Sequence, residues 1–228
     1  IQDCTNASSI TGESYVGCIA GEARNTSINN CSNAGSELNA TGYTTIEGVK
    51  YAYVGGYVGY GYVANDCTNE VEINYTGGGR YVGGIMGYTG LQASWKMSNL
   101  KNNANISGDS YVGGIIGGSI CNGTGSTSNR TIELSNFENT AIIKGSGSYV
   151  GGIVGCFYHD GYLSTIVLNA TSMRNTGAVI GKTYVGGIFG SAVTDSNGSI
   201  IQDCTKASSI TGESYVGCIA GEARNTSI

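Results

Sequence analysis

The heptapeptide Tyr111-Val112-Gly113-Gly114-Ile115-Ile116-Gly117 recurs along this chain with its sixth position free, and that recurrence restricts the fold more than any other feature. Copies begin at Tyr15, Tyr53, Tyr81, Tyr111, Tyr149, Tyr184 and Tyr215, at intervals of 28 to 38 residues. Self-similarity at such periods marks stacked repeat architectures. A longer period lies over the short one: residues 201–228 repeat residues 1–28, except that Asn6 is answered by Lys206. Residues 1–200 are therefore expected to form one super-repeat of about six coils, and 201–228 the opening of the next. The sequence starts and stops inside a repeat, so a longer tandem array is expected, with its anchors and targeting signals elsewhere.

Upstream of each Tyr lie further recurring slots. The first holds Cys4, Cys31, Cys67, Leu100, Phe137, Met173 and Cys204, and the second, two residues on, holds Asn6, Asn33, Asn69, Asn102, Asn139, Asn175 and Lys206. A third holds Ile10, Ile73, Ile106, Ile143, Val179 and Ile210, and the coil that begins near Asn33 departs from it through an insertion. Short apolar segments broken by Asn and Gly are strand-and-turn grammar. With 39 Gly in the chain, helix is disfavoured, because Gly costs about 1 kcal/mol relative to Ala in a helix interior. One such unit cannot bury its own apolar face, so the units must stack. The predicted fold is all-β, a β-solenoid in which equivalent slots become ladders about 4.8 Å apart. Insertions at 35–52 and 118–133 are expected to form loops off the stack.

In each heptapeptide Tyr and Ile alternate with Val and the sixth position, yet both sets are apolar. A strand apolar on both faces needs cover on both. A bend at the Gly pair that turns one set inward is the simpler solution, the other being cover by loops or a neighbouring fibre.

Apolar residues make up 40% of the chain, enough for a core, and a net charge of −5 argues against a nucleic-acid surface. No run of apolar residues long enough to cross a membrane as a helix is present in the sequence. Cys4, Cys18, Cys31, Cys67, Cys121, Cys156, Cys204 and Cys218 accompany a single His, which favours disulfides over zinc and an oxidising, extracellular setting. Cys31 and Cys67 share a slot in successive coils and are expected to pair, as are Cys4 with Cys18 and Cys204 with Cys218 as recurring couples. Cys121 and Cys156, each following a heptapeptide, remain as the last pair. Some of these residues could instead be buried thiols.

Sequons for N-glycosylation occur at Asn25, Asn30, Asn39, Asn74, Asn105, Asn122, Asn129, Asn169, Asn197 and Asn225, more than the abundance of Ser and Thr gives by chance. Asn6 also lies in a sequon but shares its slot with non-sequon Asn residues, so its recurrence is better explained by turn hydrogen bonding. Lys206 in that slot fits a buried ladder poorly.

The copies at Tyr81–Gly87, Tyr111–Gly117, Tyr149–Gly155 and Tyr184–Gly190, with Asn and a small residue upstream, resemble the GLUG motif of bacterial surface adhesins and IgA-cleaving proteases. The resemblance covers nearly all the chain. It implies an extracellular repeat region that displays or spaces other parts, with no catalytic residues to carry over. The Cys pairs and the sequon density depart from that pattern.

Little else suggests chemistry. His159 and Asp160 are adjacent and would point apart in an extended segment, the wrong geometry for a relay, so His159 is expected to be a surface-loop residue. The Gly strings lack the Lys-Ser or Lys-Thr of a phosphate loop, and no calcium-binding Gly-Asp series is present. No catalytic residue, metal ligand or cofactor site is predicted. The sequence therefore predicts a non-enzymatic, glycosylated, disulfide-stapled solenoid that forms the shaft of a secreted or surface fibre. Its partners would be its own coils and covalent N-glycans. The alternative is an adhesin whose solenoid face binds a glycan or matrix protein.

Overall fold

A computed structural model describes residues 1–90, 94–121, 129–159, 165–195 and 198–228. Each coil contributes one strand to each of four sheets, and the opening coil supplies Thr5–Asn6, Ile10–Gly12, Val16–Gly17 and Ala20–Glu22 in that order. The sheets so built contain ten, seven, eight and seven strands. No helix occurs among the described residues, and the fold is a parallel β-solenoid.

Registers confirm the slots as ladders. The third slot runs Ile73, Ile106, Ile143, Val179, Ile210 on successive strands. The Val of the heptapeptide runs Val54, Val82, Val112, Val150, Val185, Val216. Leu38 fills the third slot in the coil where the sequence showed only an insertion, paired with both Ile10 and Ile73. That insertion is thus only partly a loop. Glu37–Ala40 belongs to the stack, and Thr44–Ile46 folds antiparallel on Val49–Gly55 as a hairpin beside it. Of the second insertion, the strands Ile116–Cys121 and Arg130–Asn139 also lie in the ladders, because their inward positions are apolar and in register with the neighbouring coils.

The bend at the Gly pair parts the apolar residues on either side of it: Val before it goes to one buried cluster, Ile and the sixth position after it to another. Val82, Val112 and Val150 pack with Ile73, Ile106 and Ile143, whereas Ile85, Ile115 and Ile153 pack with Met97, Leu100 and Phe137. Both clusters are inside, so the bend at the Gly pair resolves the two-faced strand. A Cβ on Gly113 would collide with the Ile116 carbonyl oxygen, and one on Gly114 with the Gly152 carbonyl oxygen of the next coil. Only a residue without Cβ lets the chain turn this tightly under its neighbour. The sixth position points inward as well: Val58, Met86, Ile116, Val154 and Phe189 are all buried in the cluster of Ile85 and Leu100.

Candidate functional site

The most extensive polar arrangement is the ladder of the Asn slot. Nδ2 of each residue donates to Oδ1 of the next: Asn6 to Asn33 at 2.9 Å, Asn33 to Asn69 at 3.1 Å, Asn69 to Asn102 at 2.8 Å, Asn102 to Asn139 at 2.7 Å and Asn139 to Asn175 at 2.8 Å. The second amide hydrogen goes to a nearby carbonyl, such as Val71 O from Asn69 and Ala104 O from Asn102, or Gly56 O from Asn33 and Gly187 O from Asn175. Asn33 through Asn175 are buried, so these bonds satisfy groups that water cannot reach. Lys206 ends the ladder. Its stem lies where a side chain on Gly187 would sit, its Nζ donates to Gly177 O at 3.3 Å, and burial lowers its pKa.

A second polar column escaped the sequence reading. Asp3, Asn30, Asp66, Asn99, Asn136, Ser172 and Asp203, each just before the Cys slot, all have left-handed φ between 50° and 58°. Asn and Asp tolerate that region because their side chains bond locally. Asn30 Nδ2 donates to Asp3 at 2.6 Å, Asn99 to Asp66 at 2.7 Å and Asn136 to Asn99 at 2.7 Å, so this column is also stitched along the axis. The signal was there as a short polar residue before every Cys slot, but what the members share is a backbone angle.

The same turn explains the Cys slot. Thiols of Cys4, Cys31, Cys67 and Cys204 each donate to the carbonyl two residues back, at 3.1 to 3.4 Å. The seven cysteines with described side chains are free thiols. Cys31 and Cys67 are neighbours in one column as expected, but the registers Thr5↔Ser32 and Thr68↔Ser32 put Cys4 beside Cys31 too. Three thiols thus compete within one ladder. Cys204 packs on the Leu100 cluster and Cys18 on the Ile106 cluster. The Cys121–Cys156 pairing needs correction: Cys156 lies opposite Gly118 and Cys121 opposite His159. That offset of three residues puts their Cα atoms about 10 Å apart, beyond the reach of a disulfide. Burial raises the pKa of Cys67 to about 11 and also raises those of Cys18, Cys156 and Cys204, which keeps these thiols protonated and poorly nucleophilic.

His159 is likewise not on a surface loop. It is buried, with Nε2 3.2 Å from Asp195 Oδ2, and Asp195 Oδ1 accepts the Ile166 amide. Asp160 lies outside the described residues. Among the described residues no three His, Cys, Asp or Glu side chains are grouped to hold a metal ion, and no helix is long and apolar enough to cross a membrane.

The sequon residues sort by exposure and by the use of Nδ2, the atom a glycan would join. Asn25, Asn30, Asn105, Asn129 and Asn225 are exposed, and Asn39, Asn74 and Asn169 are half-buried on outward positions. Asn105 and Asn129 accept bonds through Oδ1 from the Ile142 and Thr165 amides, which does not engage Nδ2. Asn225 Nδ2 donates to Thr194 O. Asn6 commits both amide hydrogens, to Ser8 O and Asn33 Oδ1. Asn122 and Asn197 lie outside the described residues.

The Tyr slot forms a column along the whole stack. Successive ring centroids from Tyr15 to Tyr215 stand 4.6, 5.6, 5.0, 4.7, 4.8 and 4.6 Å apart. Every one of these Tyr residues has φ between 52° and 76°. Beside the column, near Tyr81, the surface is concave.

Scans of protein-family models, of curated proteins and of solved structures return no match for the chain.

Proposed function

We propose that this chain is a structural, non-enzymatic segment of an extracellular fibre or long surface protein, its coils forming a shaft coated by N-glycans. The observation that carries this reading is the unbroken Asn ladder from Asn6 to Asn175, whose polar groups bond along the axis. A catalytic site concentrates such groups at one point, whereas a shaft repeats them at every coil. The Tyr column and the two apolar clusters run the same way. The resemblance to GLUG repeats supports a spacing or display role. In an oxidising setting the register would allow Cys31 to bridge to Cys67 or to Cys4.

Glycans on the outward Asn residues would cover the sides of the shaft and oppose lateral association. Intact mass before and after treatment with an amidase that removes N-glycans tests this. A fall in mass, with glycosylated Asn converted to Asp, is expected; no change in mass overturns the glycosylated-shaft reading. The adhesin reading is favoured by one local feature, the concave surface beside Tyr81.

A further inference from the structure

Two cavities beside the Tyr column form one groove. The first, of 350 Å³, has Tyr51, Arg80, Tyr81, Tyr111 and Tyr158 in its wall; the second, of 330 Å³, shares Tyr51 and Tyr81 and adds Tyr60 and Tyr88. The repeat explains Tyr81 and Tyr111 but not the others. Tyr51 belongs to the inserted hairpin and stacks on Tyr53 and Tyr81 at 5.5 and 5.9 Å. Tyr60 and Tyr88 stack on each other at 5.2 Å in a slot that holds Glu22, Gly118, Cys156 and Ser191 in other coils. Arg80 stands immediately before its Tyr, where Ser14, Ser110, Ser148, Thr183 and Ser214 stand in other copies. Gly118 completes the shape, because a Cβ there would strike the Tyr81 ring at 2.5 Å. These departures from the repeat gather on one patch.

The chemistry of the patch is specific. Arg80 is the one charged side chain among the described residues lining the two cavities. Its guanidinium sits 5.1 Å over the Tyr111 ring, and it forms no ion pair with the described residues; Asp109, which lines the adjoining surface with it, instead accepts a bond from Ser146. Burial raises the phenol pKa values of Tyr81 and Tyr111, and that of Tyr60 to about 12, so the hydroxyls are neutral donors and acceptors. A cation, several phenols and aromatic edges suit a ligand with a carboxylate, hydroxyls and apolar ring faces. An extended peptide would need an open strand edge, and the Tyr-bearing strands here are paired on both sides in the ladder. A nucleic acid is opposed by the net charge of −5.

We propose that this groove binds an acidic saccharide, a uronate-bearing glycan segment, with Arg80 holding the carboxylate and the half-buried Tyr51, Tyr60 and Tyr88 facing the sugar rings over a floor formed by buried Tyr81. This holds whether or not the chain itself is glycosylated. The test is calorimetric titration of the whole chain with tetragalacturonate, its methyl ester and a sulfated dextran oligomer, repeated with Arg80→Ser and Tyr88→Ser. Both substitutions restore residue types found at the same slots in other coils, and circular dichroism checks their folding independently. Tetragalacturonate is expected to bind, with affinity lower by at least about tenfold for the ester and for Arg80→Ser, the loss of a charge-assisted bond. Tyr88→Ser should weaken binding while leaving the preference for acid over ester intact. Absence of binding overturns the proposal, as does equal affinity for acid and ester. So does binding of sulfated dextran that matches tetragalacturonate and survives Arg80→Ser, which would mark nonspecific charge attraction.

Discussion

Asn102 shows what one residue contributes to this architecture. It is fully buried, donates to Asn139 Oδ1 and Ala104 O, and accepts from Asn69. Replacement by Ala would leave three buried groups with a bond unmade, at about 1–3 kcal/mol each, so Asn102→Ala should lose at least about 3 kcal/mol in urea unfolding. A loss below about 1 kcal/mol would mean the ladder is not what holds these coils in register. The same geometry predicts a glycan map. Asn6 has no amide hydrogen to spare, so peptides treated with an N-glycan amidase should show conversion to Asp at Asn25, Asn105 and Asn129 and none at Asn6. Mapping by mass spectrometry decides it, and occupancy at Asn6 equal to that at Asn105 would refute the ladder in solution. The Asn slot could be read from the sequence because one residue type recurs in it. The column at Asp3, Asn30 and Asp66 could not, because its members change identity while keeping one φ.

At the scale of the element, the Tyr column sets a cost against a gain. A left-handed φ costs an L-residue about 1–2 kcal/mol, and each ring contact returns about 0.5–1.5 kcal/mol beyond its buried area. Burial also makes the column sensitive to alkali. Tyr53, Tyr81 and Tyr111 have raised pKa values through desolvation, and Tyr60 is raised to about 12 from 10.0. The folded state therefore holds its phenol protons more tightly than the unfolded chain does. Their contribution is fully present below pH 10 and is lost as pH rises above it through the raised folded values, about 12 for Tyr60. Phenolate absorbance and circular dichroism followed together should show ionisation of these rings only as the fold is lost. Ionisation of all Tyr at pH 10 with the strands intact would contradict the burial.

The strands and the register of the recurring slots were legible from the sequence, but register beside the insertions was not. Cys121 and Cys156 both follow a heptapeptide, yet the first lies four residues past its Gly117 and the second directly after Gly155. The stack keeps that offset. Leu38 was hidden for a related reason, since its spacing from Tyr53 is lengthened by the hairpin while its inward position is unchanged.

At the scale of the molecule, six coils at about 4.8 Å advance the axis by roughly 29 Å per 200-residue period. Each coil meets only its neighbours, so stability is close to a sum of coil and interface terms. The junction between periods is then the place where one interface can be altered without touching the rest. There Asn175 stands in register with Lys206, and its Nδ2 donates to Gly187 O with no Asn beyond it. Lys206→Asn should rebuild the junction as an Asn139–Asn175 step, adding one amide bond and removing a partly desolvated ammonium, a gain of about 1 kcal/mol near neutral pH. The sign of the pH effect follows from the lowered pKa of Lys206. The unfolded chain binds this proton more tightly, so the Lys206 form gains stability as pH rises towards 10.5, by a small amount because solvent screens a side chain this exposed. The advantage of Lys206→Asn should therefore be largest at neutral pH and shrink as pH rises, read as the difference in urea midpoint between the two forms. A substitution that left the neutral-pH midpoint unchanged or lowered it would show that the ladder ends at Asn175 by design of the junction, with Lys206 serving the contact to Gly177 O better than Asn could.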